Sequence, residues 1–339
     1  MAHVVPHIQP GYLPSETASG TLNQPAAIGI DFGGTNTQVV VIDADGNVIS
    51  DQVKKTPHSG PAIADIVAEI VIESAGAGLP LGIGAPVLMS PDGMIVGAPN
   101  LSATIGTNFR KSIEARLSEL ERPPVSLVID NDATCAAVGE LYLGCAQGVG
   151  HAAVVTLGTG IGGGLIVDGK VMRGANGFAG EIGHMIVDPS GPPCPCGRNG
   201  CWERYASGTG LARLARDAAH AGKAQRVVEI AGGDPESVRG EHVSLACVEG
   251  DAEAKQIMSS FGWWVALGLV NLTVIMDLEL CVLGGGPITS GDVLLGPVTQ
   301  HFDELMPYSN SRPQVQLALA AQGVRAGAIG AAWLAYTSA

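Results

Sequence analysis

The first clear pattern in the chain is a series of short apolar runs separated by turn-forming residues. Residues 28–32 form one such run, a Gly33-Gly34 pair follows, and residues 38–43 form the next. An Asp45-Gly46 pair then precedes a third and more polar run at residues 47–54. Runs of this length between turn formers are typical of strands, and Asp-Gly is a favoured hairpin turn. The pattern predicts three strands joined by tight turns.

Helical and strand patterns alternate in the residues that follow. Apolar side chains at helical spacing predict helices at residues 61–74 and 109–120. Residues 81–85 and 125–129 are apolar runs of strand length. A helix at residues 133–143, which Gly144 can end, follows the second of these runs. This alternation predicts an α/β fold.

The opening pattern recurs about 125 residues later. Residues 152–157 have a strand pattern, residues 158–164 form a glycine-rich turn, and strands at 165–167 and 170–173 flank an Asp-Gly pair. A repeated unit at this separation predicts two related lobes, each with a glycine turn that faces a shared cleft.

The two ends of the chain have different patterns. Residues 1–26 contain four prolines and no helical period, and no lysine or arginine precedes Lys54, so the basic start of a signal peptide is missing. They predict a disordered leader. The later half predicts a long helix, a strand and an alanine-rich closing helix at residues 255–276, 280–283 and 327–336. The apolar stretch inside the long helix, residues 263–276, is too short to span a bilayer and predicts a buried helix.

Composition narrows the classes of function. The 339 residues are 46% apolar, which is ample for two hydrophobic cores, and they carry a net charge of −14. Such an acidic chain is poorly suited to nucleic acids or anionic membranes and is typical of a cytoplasmic enzyme. The seven cysteines have no regular pairing pattern, which favours reduced thiols over a disulfide framework.

The most informative stretch lies between Glu181 and Glu203. It contains one histidine and three cysteines within eighteen residues: His184, Cys194, Cys196 and Cys201. Cys₃His is a standard tetrahedral zinc set. Carboxylates at both ends of the cluster favour a zinc ion that shapes a polar binding site. A purely structural zinc knuckle, with Glu181 and Glu203 solvated, is the alternative.

Two glycine turns are candidates for phosphate binding. Residues 31–35, with the sequence Asp-Phe-Gly-Gly-Thr, and residues 158–164 can present successive backbone N–H groups to an anion. The second turn matches the dinucleotide fingerprint G-x-G-x-x-G, but a strand follows it where that motif requires a helix. Neither turn has the lysine of a P-loop. Ordinary hairpin turns are the alternative for both.

Two aspartates stand at the ends of predicted strands. Asp31 can hold hydrated Mg²⁺ against nucleotide phosphates, or it can cap its own turn. Asp132 lies between a buried strand and a helix, where it can act as a general base or simply cap the helix that begins at Ala133. The residues alone leave both pairs of alternatives open.

Together these motifs resemble the ROK family of bacterial sugar kinases and sugar-responsive repressors, and within it the bacterial glucokinases. The resemblance runs from Ile28 to the end of the sequence. Its motifs are Asp31-Phe-Gly-Gly-Thr35, Ala98-Pro-Asn100, Asn131-Asp132-Ala133, residues 157–164, Glu181-Ile-Gly-His184, the loop from Cys194 to Glu203, and residues 283–287. It implies a two-lobed, actin-like ATPase fold with sugar and ATP in the interlobe cleft. The small lobe would comprise residues 27–134 plus 324–339, and the large lobe, with the zinc loop, residues 135–323.

The resemblance also implies roles for individual residues. Asp132 would be the catalytic base. Sugar hydroxyls would contact Asn100, Asn131, Asp132, Glu181, His184 and Glu203. Phosphates, Mg²⁺ and the adenosine of ATP would face Asp31, Gly33, Gly34, Thr35, Thr159, Gly160, Gly285 and Gly286. Zn²⁺ would bind His184, Cys194, Cys196 and Cys201.

The expected reaction is ATP-dependent phosphorylation of a hexose at O6, with glucose as the first candidate. Kinases of N-acetylglucosamine, N-acetylmannosamine, mannose or fructose are alternatives, because Val87 replaces a glycine usual in the family and no aromatic residue closely follows Asn100. The bulk of Trp202 and Tyr205 near the zinc loop suggests little room for an acetamido group.

Other questions concern the class and the assembly. A sugar-sensing repressor would need a DNA-binding domain, for which the 26-residue leader is too short and lacks basic residues. Polyphosphate is an alternative phosphoryl donor. A homodimer or homotetramer without nucleic-acid or membrane partners is expected.

Overall fold

The computed structural model describes residues 24–57, 59–74, 78–90, 93–98, 104–286 and 291–339. Most of the predicted leader (residues 1–23) and one predicted sugar-binding residue, Asn100, lie outside these ranges. At the end of the leader, the N–H of Ala26 already donates a hydrogen bond to the carbonyl of Ile42, so regular pairing begins immediately before the first strand.

The first sheet has five strands in the order β3-β2-β1-β4-β7. Their bounds are Ala27–Phe32 (β1), Asn36–Ile42 (β2), Val48–Lys55 (β3), Leu81–Ala85 (β4) and Leu127–Asn131 (β7). The first three are antiparallel, whereas β4 and β7 run parallel to β1. Two short strands, β5 (Leu88–Met89) and β6 (Ile95–Gly97), form a separate hairpin.

The second sheet repeats this arrangement with the order β10-β9-β8-β11-β12. Its strands are Ala152–Leu157 (β8), Ile161–Val167 (β9), Lys170–Met172 (β10), Leu280–Gly284 (β11) and Gln316–Leu319 (β12). Strands β8, β9 and β10 are antiparallel, and β11 and β12 add parallel strands. The two sheets therefore share one topology, as the recurring sequence pattern predicts.

Helices cover both faces of each sheet. The first sheet packs on one face against α1 (Gly60–Glu73) and α2 (Phe109–Glu119), and on the other against α10 (Ala326–Thr337). The second sheet packs on one face against α3 (Asp132–Leu143). Its other face is covered largely by the remaining helices: α4 (Glu203–Ala206), α5 (Gly208–His220), α6 (Gln225–Ile230), α7 (Gly240–Val248), α8 (Ala252–Met276) and α9 (Asp292–Leu305).

Helix α8 is the one described helix that is long and apolar enough to cross a membrane by length and composition. In the fold, 61% of its most apolar stretch is buried, and Phe261, Val265 and Leu269 belong to the core of the second sheet. It is the buried helix that the sequence predicts.

Helices α3 and α10 cross between the two sheets at two glycines. A Cβ on Gly330 of α10 would lie 1.8 Å from the carbonyl oxygen of Cys135, and one on Gly139 of α3 would lie 2.6 Å from that of Ala326. The backbones of the two helices therefore touch. Any larger side chain at either position would separate the helices, and the sheets with them.

The second glycine turn is shorter than predicted. The sequence assigns all of residues 158–164 to a turn, but β9 already begins at Ile161. A Cβ on Gly162 would lie 2.7 Å from that of Ala133, and one on Gly164 would lie 2.2 Å from that of Ala137. These glycines are strand residues that let α3 lie directly on the sheet, and only residues 158–160 remain as the turn.

A second correction concerns the strand before Asp132. Residues 125–129 were expected to form it, but the strand is Leu127–Asn131, because pairing with β4 continues to the register Ala85–Asn131. Helix α3 accordingly begins at Asp132 itself. The shift matters because it places Asn131, and not Asp132, at the cap position.

Candidate functional site

Three parallel strands of the first sheet end together at the cleft. Asp31 of β1 is in register with Gly84 of β4, which is in register with Asp130 of β7. Residues in register point to the same face of a sheet, and adjacent strands lie about 4.8 Å apart. A Cβ on Gly84 would lie 3.3 Å from Cys135 Sγ and 3.4 Å from the Cα of Asp132, so the start of α3 packs closely on this glycine.

Asp31 has a buried carboxylate with an unused oxygen. Its Oδ1 is inaccessible to solvent and has no hydrogen-bond partner among the described residues. A Cβ on Gly327 of α10 would lie 2.3 Å from its Oδ2, so the glycine is required for the carboxylate to fit. Burial raises the pKa of Asp31 well above its usual value, and the charge of Asp132 adds to the rise. An orphaned carboxylate oxygen suits a hard cation such as Mg²⁺. No described residue of the turn donates a hydrogen bond to Asp31 Oδ1, contrary to the alternative in which Asp31 caps its own turn.

Asn131 and Asp132 have different roles at the start of α3. The side-chain oxygen of Asn131 accepts hydrogen bonds from the N–H groups of Ala133 (3.0 Å) and Thr134 (3.1 Å), so it is the cap. The alternative in which Asp132 caps a helix beginning at Ala133 is therefore wrong. Asp132 Oδ1 accepts from the N–H of Ala133 at 2.9 Å. Burial raises the pKa of Asp132 to about 6, and the charge of Glu181 contributes. A carboxyl group with this pKa is poised to accept a proton near neutral pH.

Glu181, His184 and Glu203 form a cluster of polar side chains, the acidic group, and the charge of its member Glu181 acts on Asp132. His184 Nε2 lies 3.8 Å from Glu181, and His184 Nδ1 lies 3.7 Å from Glu203 Oε1. Burial raises the pKa of Glu181; His184 opposes the rise and Glu203 adds to it. This arrangement offers several acceptors and a donor in one place, which is what recognition of adjacent hydroxyl groups requires.

The predicted zinc residues come together. The ligand atoms of the four residues all lie within 4.8 Å of one another: His184, Cys194, Cys196 and Cys201. Cys196 Sγ is 3.5 Å from Cys201 Sγ, and Cys194 Sγ is 3.7 Å from His184 Nδ1. Three thiols and an imidazole at this spacing fit a tetrahedral zinc ion. The Cys194 thiol also donates to Glu203 Oε1 at 3.0 Å, so the cluster and the acidic group are in contact.

The residues predicted for the phosphate side occupy three turns. Residues 33–35 follow β1, residues 158–160 follow β8, and Gly285 follows β11. A Cβ on Gly285 would lie 2.2 Å from the carbonyl oxygen of Leu157, so the second and third turns touch. Neither Gly33 nor Gly158 has a positive φ. A Cβ on Gly33 would lie 2.7 Å from the carbonyl oxygen of Asn36, so close backbone approach favours glycine there, whereas one on Gly158 would have no atom nearer than 3.9 Å.

The turn at residues 158–160 adjoins both Glu203 and the start of α5. A Cβ on Gly160 would lie 2.6 Å from Glu203 Oε2, so this glycine adjoins the acidic group as well as the expected phosphate position. The carbonyl of Thr159 accepts a hydrogen bond from Thr209 Oγ1 at 2.7 Å, at the start of α5. Gly286 continues the third turn, and a Cβ at this position would have no described atom within 4 Å.

Trp202 and Tyr205 do not line the acidic group. Trp202 is fully buried, and its Nε1 donates to the carbonyl of Trp264 at 2.7 Å. The Tyr205 ring stacks on that of Trp264 with centroids 4.0 Å apart, and its hydroxyl donates to Asp188. The expectation that these two side chains restrict the space for an acetamido group is therefore wrong. Both pack the zinc loop against α8.

One interaction at this site has no counterpart in the sequence prediction. Arg173, next to β10, forms an ion pair with Asp130, two residues before Asp132. Neither residue belongs to a motif noted above, and the 43 positions that separate them give no local signal. Only the folded arrangement, in which β7 and β10 are the edges of two adjoining sheets, brings them together.

Two sheets of equal topology, with glycine turns and carboxylates at the cleft between them, define an actin-like ATPase fold. The chain belongs to the ROK family, which it matches over residues 27–338. Both the expected family and the expected fold are confirmed.

Individual relatives agree with this placement. A glucokinase of Streptomyces coelicolor is 35% identical over 314 residues, which cover 91% of this chain and 96% of that protein. A crystal structure of a ROK family glucokinase from Streptomyces griseus, in complex with glucose and AMPPNP, has a TM-score of 0.83 at 33% identity and covers 92% of this chain and 99% of that one. An N-acetylmannosamine kinase of Escherichia fergusonii is 30% identical over 76% of this chain and 82% of its own length. The protein is a sugar kinase.

Proposed function

We propose that the protein transfers the γ-phosphoryl group of ATP to O6 of glucose and forms glucose 6-phosphate. The observation that carries the proposal is the Asp132 carboxylate, which is buried at the start of α3 with a pKa raised to about 6 and faces Glu181. The glucokinase relatives support glucose as the substrate. The proposal places the enzyme in the cytoplasm, as a homodimer or homotetramer.

Asp132 acts as general base in this proposal. The sugar O6 hydroxyl donates its proton to Asp132 as the oxygen attacks the γ-phosphorus, and ADP leaves with the electrons of the broken P–O bond. Asn131 fixes the start of α3 through its cap. Its Nδ2 donates to no described residue, which leaves it for a sugar hydroxyl.

The zinc loop orients the sugar. Zn²⁺, when bound to His184, Cys194, Cys196 and Cys201, supplies a rigid cross-link across the segment that carries both glutamates. Glu181, His184 and Glu203 then hydrogen-bond the sugar hydroxyls, together with Asn100.

The opposite side of the cleft holds the nucleotide. Asp31 has the free carboxylate oxygen for Mg²⁺, either directly or through water, and Mg²⁺ neutralises phosphate charge when bound. Gly33, Gly34, Thr35, Thr159 and Gly160 offer backbone groups to the phosphates, and Gly285 and Gly286 lie beside the adenosine. We also propose the lobe boundaries given above, residues 27–134 plus 324–339 and residues 135–323.

A second candidate substrate is an N-acetylated hexosamine. The N-acetylmannosamine kinase relative favours it, and so does the position of Trp202 and Tyr205, which leaves the acidic group without the expected steric barrier.

A coupled assay on the zinc-loaded protein tests both candidates. Glucose, mannose, fructose, N-acetylglucosamine and N-acetylmannosamine are compared by kcat/KM, with ATP and with polyphosphate as donors. The expected result is the highest value for glucose with ATP. A higher kcat/KM for an N-acetylated sugar assigns the second candidate, and no turnover with any sugar contradicts the proposed function.

A further inference from the structure

An ion pair joins the edges of the two sheets beside the proposed base. Arg173 donates to Asp130 Oδ2 from Nε at 2.9 Å and from Nη2 at 2.8 Å. The other oxygen, Oδ1, accepts from the N–H of Asn131 at 2.9 Å. Because β7 and β10 are edge strands of different sheets, this two-point contact fixes one sheet edge relative to the other.

Each partner is connected to one side of the sugar site. Asp130 lies two residues before Asp132, in the strand that leads into α3. Arg173 is the first residue of the segment that leads to Glu181 and His184, and its carbonyl accepts from the N–H of Ala179 at 3.2 Å. The ion pair is thus a short bridge between the base and the residues proposed to hold the sugar.

The segment after Arg173 has few other supports at its near end. Residues 172–178 are all exposed. The far end packs closely on β9, because a Cβ on Gly180 would lie 2.4 Å from the carbonyl oxygen of Gly163. Near its tip, a Cβ on Gly177 would lie 3.8 Å from the carbonyl oxygen of Met89 in the first lobe. The ion pair is therefore the charged anchor of a segment that reaches across the cleft.

Arg173 also lies close to several aspartates at the start of α3. Burial raises the pKa of the Cys135 thiol, the carboxylates of Asp130, Asp31 and Asp132 raise it further, and Arg173 lowers it. Arg173 is the cation among the charged groups that shift the pKa of this thiol. Its charge offsets that of Asp130, two residues before the proposed base.

We propose that Arg173 and Asp130 are positioning residues for phosphoryl transfer, which hold the segment of residues 173–184 in place against the strand that carries Asp132. The inference rests on the proposed function, because it takes Asp132 as the base and Glu181 and His184 as sugar contacts. It adds two residues that touch neither substrate.

The pair is expected to affect catalysis more than stability. The Arg173 side chain is 43% exposed, and ion pairs with this exposure stabilise folded proteins only weakly. A displacement of about 1 Å between reacting groups, in contrast, can lower a rate by roughly 100-fold. A purely structural ion pair would show neither a large kinetic effect nor selectivity for the sugar.

The test compares Arg173→Gln, Arg173→Lys, Asp130→Asn and the Arg173→Gln/Asp130→Asn double variant. Arg226→Gln is the control, because Arg226 is 44% exposed and also donates from two guanidinium nitrogens to a carboxylate, that of Glu249, with a further bond to Glu229. Measured quantities are kcat, KM for glucose, KM for ATP, the melting temperature, and hydrogen exchange of residues 174–184.

We expect Arg173→Gln and Asp130→Asn to lower kcat/KM for glucose by roughly 10- to 100-fold, with KM for ATP within about twofold. The double variant should be no worse than either single variant, because both remove one interaction. Arg173→Lys should keep part of the activity, and melting temperatures should match that of Arg226→Gln. Exchange in residues 174–184 should rise in every variant except the control.

Wild-type kcat/KM in Arg173→Gln, or losses that add in the double variant, would overturn the inference. So would unchanged exchange in residues 174–184, which is measured without turnover. A different result would contradict the proposed function itself, namely that the wild-type enzyme phosphorylates no sugar.

Discussion

Removal of the Glu140 carboxylate should destabilise the protein more than any exposed charge change. Glu140 lies near the end of α3 and is fully buried. Its Oε2 accepts from the N–H groups of Cys145 (3.0 Å) and Ala321 (3.1 Å) and from the Cys145 thiol, and its Oε1 accepts from the N–H of Gln322 (2.9 Å). One carboxylate thereby joins the connection after α3 to the connection between β12 and α10.

The magnitude follows from these bonds. Glu140→Ala leaves three backbone N–H groups without their acceptor, and each orphaned group costs roughly 1–3 kcal/mol when water cannot replace the bond. Ala321 is exposed, so water can reach part of this site, and we expect a loss of about 2–4 kcal/mol. Glu140→Gln keeps the shape but turns an NH₂ group toward at least one donor, and about 1–2 kcal/mol is expected.

Urea unfolding of the zinc-loaded protein measures the effect, with Glu114→Ala as the control. Glu114 is an exposed glutamate of α2, 3.6 Å from Arg110, and its removal should change stability by less than about 0.5 kcal/mol. The expected order of midpoints is wild type and control, then Glu140→Gln, then Glu140→Ala. A midpoint for Glu140→Ala equal to that of the control would refute the reasoning.

Asp132→Asn should lower kcat by roughly 10²–10⁴ and leave sugar affinity unchanged, because it removes only the proton acceptor; near-normal turnover in steady-state kinetics would contradict the assignment. The pH profile of kcat/KM should fall on the acid side with an apparent pKa near 6, since Asp132 must be deprotonated to act and its pKa is raised to about 6. This acid limb should be absent from the profile of Asp132→Asn. Elemental analysis should find about one zinc per chain, and Cys196→Ser should lose both zinc and sugar binding because the metal holds the loop together. Full sugar affinity in metal-free Cys196→Ser would show that the loop does not depend on zinc.

Local signals in the sequence were sufficient for much of the fold and for part of the site. The repeated strand-turn-strand pattern predicted two related sheets, because hairpins are specified by neighbouring residues. The spacing of His184 and three cysteines likewise predicted a cluster that the fold assembles.

Features that depend on long-range packing were not predictable in the same way. Gly162 and Gly164 were assigned to a turn because nothing nearby in the chain reveals that α3 will lie on them. Trp202 was expected to limit the room for an acetamido group because it adjoins the zinc loop in sequence, although its side chain is buried in the core of the second sheet. The fit of Asp31 against Gly327 joins residues at opposite ends of the chain.

The position of α10 in the chain has a consequence for synthesis. This helix covers one face of the first sheet, and a Cβ on Gly29 or Gly82 would collide with the carbonyl oxygen of Ala328 or Ala331. Yet it follows every strand of the second sheet along the chain. During translation the first lobe is made first but must wait, with an apolar face uncovered, until the second lobe has emerged from the ribosome. The sheet whose strands come first along the chain is thus the one whose packing is completed last.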